Sequence, residues 1–118
     1  MRILFLENHE VFASTVVSQF LVDHVVQIVS SVSRAIDALR SDSFDVVLVD
    51  YDLDNEKGDD LLKYLWRQQR SIPVIAVSAR PEGNEALVRA GAVAVCAKGD
   101  FARIAEVLDR VCRGPCVG

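Results

Sequence analysis

The chain has 118 residues, 51% hydrophobic and 25% charged, with 13 basic against 17 acidic side chains and a net charge of −4. That length makes one ordinary domain, residues 1–118, with one proper core, since roughly two-thirds of the unfolded surface is buried at this size. The acidic balance argues against direct nucleic acid binding, which needs a surplus of Lys and Arg on one face.

No apolar run approaches membrane length, and residues 1–6 meet Glu7 before a signal-peptide core develops, so a cytoplasmic chain with no membrane partner is expected. Cys96, Cys112 and Cys116 make an odd count without the density of a disulfide scaffold, and no His or second Cys pair accompanies Cys112 and Cys116. Free thiols are expected.

In chain order, short apolar runs alternate with stretches of helical period. Residues 3–6, 25–29, 46–49, 74–77 and 92–96 are mostly β-branched, apolar on both faces and too short for helices, which predicts five buried strands. Between them, Val11, Phe12, Val16, Val17, Phe20 and Leu21 form the stripe of a first helix. Ser33 is the expected cap of a second, carrying Ala35, Ile36 and Leu39. Gly58 precedes a third with Leu61, Leu62 and Leu65 inward, leaving Tyr64 and Trp66 off the stripe. At least one of that pair is expected to be partly exposed, Trp66 as a half-buried residue at a helix end or as an anchor for a partner. Pro81 opens a fourth helix that Gly91 stops, and Asp100 is the expected cap of the last, with Ile104, Val107, Leu108 and Val111 at helical spacing. Strict βα alternation predicts an α/β fold: a doubly wound parallel sheet with right-handed crossovers.

The carboxyl ends of such strands share one edge, so Glu7-Asn8, Asp50, Ser78 and Lys98 are expected to converge on one crevice. An acid, an amide, a hydroxyl and an ammonium together suggest phosphoryl chemistry. A carboxylate such as Asp50 can attack a phosphoryl group in line, provided cations shield it from the incoming anion. Mg²⁺ suits that task, taking about six oxygens at ~2.0–2.1 Å and keeping several waters.

On these residues the whole chain resembles the receiver domain of two-component response regulators (CheY-like). The strand ending in Glu7-Asn8 stands where the family has two acids, Asp50 closes the third strand, Gly58 follows eight residues later, Ser78-Ala79 closes the fourth strand and Lys98 the fifth. The resemblance implies a flavodoxin-like (βα)5 fold of strand order 2-1-3-4-5, the order and crevice that a receiver protein is used to illustrate in general accounts of this topology. It implies Asp50 as phosphoacceptor, Ser78 and Lys98 as phosphate-binding groups, and Mg²⁺ held by Asp50, Asn8, the carbonyl of Asp52 and, through water, Glu7. It also implies a histidine kinase or phosphotransfer protein as phosphoryl donor, a downstream protein target or fused output domain, and a homodimer through the fourth and fifth helices. The only catalysis expected is of the chain's own phosphorylation and dephosphorylation. A stand-alone receiver and one belonging to a longer protein both fit these residues.

Several positions depart from the family. Asn8 replaces the acid that binds metal directly; this relaxes a repulsion of about 4 kcal/mol between carboxylates 4 Å apart at an effective dielectric of 20, and weakens the hold on Mg²⁺. Asp54 replaces a common Pro in the acidic loop Asp50-Tyr51-Asp52-Leu53-Asp54-Asn55-Glu56, which reads by itself as a solvated turn. Asp52 and Arg80, each two residues after a site residue, are expected to pair across the approach of the hydrolytic water. The interval from Ser78 to Lys98 is shorter than usual, Val95 replaces an aromatic, and Lys98-Gly99 replaces Lys-Pro. These departures sustain a second reading, a pseudo-receiver that binds partners independently of phosphorylation. A flavodoxin-like cofactor binder is disfavoured, because Glu7-Asn8-His9-Glu10 is acidic where a nucleotide phosphate needs donors. His9 and His24 carry no functional expectation beyond surface positions.

Overall fold

Successive residues of a strand point to opposite faces, so runs that are apolar at every position are stable only with both faces covered. The computed structural model, which describes residues 1–113, meets that requirement. Strands β1 (Arg2–Leu6), β2 (Val25–Val29), β3 (Val46–Val49), β4 (Val74–Ala76) and β5 (Ala94–Val95) alternate with helices α1 (Glu10–Phe20), α2 (Val32–Ser41), α3 (Asp59–Arg67), α4 (Pro81–Arg89) and α5 (Ile104–Arg113). All strand pairs are parallel, in the expected order β2-β1-β3-β4-β5. Leu4, Leu6, Val47, Val49 and Ala76 pack under α2, α3 and α4, while Ile3, Phe5, Val46, Leu48 and Ile75 pack under α1 and α5. No described helix is long and apolar enough to cross a membrane.

The last two strands are shorter than their apolar runs. Val93 and Cys96 still donate to the carbonyls of Val74 and Ala76 (2.9 and 2.8 Å), but regular pairing is confined to two residues of β5. The cap of α2 is Ser31 rather than Ser33. The Ser31 hydroxyl accepts from Arg34 N (3.2 Å), and the Ser33 hydroxyl lies 3.3 Å from it, so two serines compete for one role and the chain turns at the first. Val11 is 81% exposed and lies off the buried stripe of α1, which is Ala13 and Val16 with Phe12, Val17 and Phe20 partly packed. Asp100 does not cap α5; it falls within a 3₁₀ segment, Lys98–Arg103, that enters the helix at Ile104. Gly91 ends the fourth helical region with φ at 125°, a conformation that favours glycine.

Tyr64 packs partly against the core, whereas Trp66 is 79% exposed, more than a half-buried helix end would be. Among the described residues Cys96 is a buried free thiol and Cys112 a partly buried one. Cys116 lies outside the described residues.

Candidate functional site

Three of the predicted residues meet directly. Glu7 follows β1, Asp50 follows β3 and Lys98 follows β5, and the parallel register brings all three to one end of the sheet. Lys98 Nζ donates to Asp50 Oδ2 at 3.1 Å and to Glu7 Oε2 at 3.1 Å, with Glu7 Oε1 at 3.0 Å. The ammonium also lies 5.0 Å from the centroid of Phe12, whose ring packs edge-on against Phe101. Both carboxylates are buried, Asp50 2% exposed and Glu7 fully enclosed.

Burial, and then the charge of Asp50, hold the Glu7 carboxyl above its ordinary range against the pull of Lys98. For Lys98, burial works against the charged form, but hydrogen bonds and charge from Glu7 and Asp50 outweigh it and raise its pKa. Glu7 Oε2 also accepts from His9 N (3.1 Å), whereas Oε1 is buried with no hydrogen-bond partner despite its closeness to the ammonium. Held by the charge of the ammonium and not by a hydrogen bond, this oxygen keeps lone pairs that fit the donors of a cation-bound water.

The other predicted residues frame this centre. Asn8, His9, Asp50, Asp52, Ala79 and Lys98 line a crevice of about 170 Å³. A larger groove of about 570 Å³ lies between β2 and α2; it is polar and shares only Glu7 with the site. Asn8 Nδ2 donates to Asp54 Oδ1 (2.6 Å). The Asp52 side chain takes a bidentate pair from Arg80, Nε and a terminal nitrogen both at 2.8 Å, plus Lys57 Nζ at 2.9 Å. The Arg80 hydrogen bonds, foremost, hold the Asp52 carboxyl well below the usual range. The expected Asp52–Arg80 pair is therefore present. Ser78 is fully buried and its hydroxyl accepts from Arg80 N (3.3 Å).

The family model of the response regulator receiver domain matches residues 3–109. The chain belongs to the receiver domain family. Over 92% of its length this receiver is 36% identical to the sensory/regulatory protein RpfC of Xanthomonas campestris pv. campestris strain 8004, while spanning only 16% of that protein. Its fold matches a CheY-like receiver domain protein from Methanospirillum hungatei (TM-score 0.82, 18% identity, 99% and 98% of the two chains). It also matches TrrA of Thermotoga maritima in complex with Mg²⁺ and BeF (TM-score 0.82, 14% identity, 93% and 97%).

The site of this receiver contains groups that sequence reasoning missed. Asn84 is buried in α4, where its Oδ1 accepts from Ser78 N (2.9 Å) and its Nδ2 donates to Ser78 O (3.0 Å), extending the hydrogen bonding of β4 by a side chain. Gly83 leaves room beside it: a Cβ there would lie 2.5 Å from Ser78 Oγ. The available signal was Gly83-Asn84 in the first turn of a helix, two poor helix formers where Ala or Glu would serve better. Glu56 Oε2 accepts from Val32 N (2.8 Å) at the positive end of α2. The carboxylates of Asp52, Asp54 and Glu56 are thus all engaged, which corrects the reading of their loop as a merely solvated turn.

Proposed function

We propose that the chain is a phosphoryl-accepting receiver, with Asp50 as the acceptor and a histidine kinase or phosphotransfer protein as the donor. The observation that carries this reading is the Asp50 carboxylate, 2% exposed at the end of β3, on the floor of a crevice and bonded to Lys98 at 3.1 Å. A carboxylate oxygen of Asp50 forms the new O–P bond as the donor's bond to phosphorus breaks, its electron pair leaving with the donor. Lys98, released from part of its pairing with Asp50, stays close enough to bind a phosphoryl oxygen. The Ser78 hydroxyl binds another after leaving Arg80 N, and the loop into α4 follows. Glu7, Asn8, Asp50 and the Asp52 carbonyl are the groups that would hold Mg²⁺, and Glu7 Oε1, ion-paired to Lys98 but accepting no hydrogen bond, supports that assignment by keeping lone pairs for a metal-bound water. Bound Mg²⁺ supplies the charge neutralisation that lets an anionic phosphoryl group approach an anionic acceptor.

Intact mass after incubation with acetyl phosphate and Mg²⁺ tests the proposal. A gain of one phosphoryl group in the parent and none in Asp50→Asn is expected; no gain in either folded protein would favour the pseudo-receiver. By the resemblance to the family, the Asp52–Arg80 pair would lie across the approach of the hydrolytic water, and we assign it a retarding role. Arg80→Ala is expected to lose the phosphoryl group several-fold faster than the parent in a chase after donor removal. An unchanged rate would remove that role.

The readout surface is assigned to α4, β5 and α5, where Val88 and Val95 are 46% and 40% exposed and Arg103 pairs with Glu106 at 2.8 Å. Homodimerisation or a protein target would use this face.

A further inference from the structure

Asn8 is the residue that most weakens a metal-dependent reading, because an amide carries no charge and has one end that repels cations. What it touches changes its meaning. Asn8 lines the crevice, and behind it stands Asp54, whose Oδ1 is 2.6 Å from Asn8 Nδ2. An ionised carboxylate only accepts hydrogen bonds, so the end of the amide that faces Asp54 must be the NH₂ group and the carbonyl end must point elsewhere. The separation is at the short limit for hydrogen bonds of this kind, as expected when the acceptor is charged.

The loop does not bring Asp54 there by chance contact alone. Two residues before it, Asp52 is clamped by Arg80 and Lys57; two residues after it, Glu56 is bonded to the start of α2. Between those anchors the path of the chain holds the Asp54 carboxylate over Asn8, although Asp54 itself is exposed and open to water. On the sequence neighbour of Asn8, the buried Glu7 Oε1 accepts no hydrogen bond although Lys98 Nζ lies 3.0 Å away, so it keeps lone pairs for the donors of a metal-bound water.

We propose that Asp54 is a positioning residue for the Mg²⁺ site: it turns the Asn8 amide so that its oxygen faces the crevice, and returns from the β3–α3 loop the negative charge missing at Asn8. The inference rests on the Mg²⁺-dependent reading above and deepens it. Outer partners that orient a metal ligand are typically worth about 10–100-fold in metal affinity. Asp54 works through Asn8 and not by touching the phosphoryl group.

The experiment is calorimetric titration of Mg²⁺ into the unphosphorylated chain, with parallel thermal unfolding in EDTA to separate metal affinity from folding. Trp66 is unsuitable as a reporter, since it lies in a shallow groove with Arg70, Ile72 and Gly91, away from the crevice residues. D54N is expected to weaken Mg²⁺ binding about tenfold with little change in melting temperature, and D54S to do the same without an amide. N8D alone sets two carboxylates against each other and is expected to gain little; the N8D/D54N double variant exchanges the two groups and is expected to recover affinity to the parent's level or better. Parent-like Mg²⁺ affinity in both D54N and D54S, or no recovery in the exchanged pair, overturns the role of Asp54 while leaving the Mg²⁺-dependent reading intact. Absence of Mg²⁺ binding in the parent itself would overturn both.

Discussion

Lys98→Met is expected to destabilise the protein by about 3–5 kcal/mol at neutral pH, the usual cost of stripping the partner from a buried ion pair. Methionine keeps most of the stem against Phe12 and removes only the ammonium that Glu7 and Asp50 share. Two buried carboxylates then face each other without a cation. Glu7 is already held above its ordinary range by burial and by Asp50, with Lys98 opposing; in the variant that opposition is gone and the folded pKa rises further. A carboxyl whose folded pKa is raised binds more protons folded than unfolded, so stability falls as pH rises from the ordinary glutamate range through the raised value. The parent's Lys98 has the complementary behaviour: its raised pKa contributes stability at every pH below the ordinary lysine range and loses it only as the solution passes the folded value. Urea denaturation at pH 5 and pH 7 checks this. The gap between parent and variant is expected to be narrower at pH 5, and a gap independent of pH would mean that the lysine's contribution is packing alone.

Gly58→Ala is expected to cost about 3 kcal/mol or more, in the range of severe overpacking. The sign is informative because local and tertiary effects oppose each other. Gly58, the residue before α3, has φ −63° and ψ −24°, values alanine adopts without strain, so the smaller unfolded-chain entropy of alanine would by itself stabilise by about 0.4–1 kcal/mol. Its surroundings forbid the exchange. A Cβ at this position would fall inside the carbonyl oxygen of Asp50 and 2.8 Å from Val49 Cγ1, and backbone atoms cannot rotate aside as a side chain would. Gly58 N also donates to Tyr51 O at 2.8 Å, so the glycine draws the start of α3 against the end of β3 and fixes the backbone beside Asp50. Chemical denaturation gives the stability change; a variant as stable as the parent would mean that the loop can shift freely, and the site would then be far less preorganised than its geometry implies.

The fold was legible because it depends on patterns repeated at every element. Runs such as Val46–Val49, buried at all four positions, can only lie between two helical layers. The convergence of Glu7, Asp50 and Lys98 was legible for the same reason, since parallel strands deliver their ends to one edge. What could not be read were choices between local equals and contacts set by the path of a loop. Ser31 and Ser33 are both competent caps, and only the geometry of the turn after β2 selects the first. Val11 fits a helical stripe as well as Ala13 does, but the sheet lies beneath Ala13. Glu56 carries no chemical signature and Asn84 only the oddity of a Gly-Asn pair in a first helical turn; their partners, Val32 N and the Ser78 backbone, are defined only when other segments are folded against them. The Asp52–Arg80 pair was accessible because the resemblance placed both residues at known offsets from the site.

The loop that follows Asp50 is fastened to three different parts of the molecule: through Asp54 to the segment before α1, through Glu56 to the first turn of α2, and through Asp52 to the residue before α4. Its position is therefore shared among three bonds that are all satisfied at once. A change that moves the loop far enough strains these bonds together, and the segment whose bond holds is carried along with it. Replacing the carboxylate at one of these three positions would cut one tether and leave the other two, changing which neighbouring segment moves with the loop without touching Asp50.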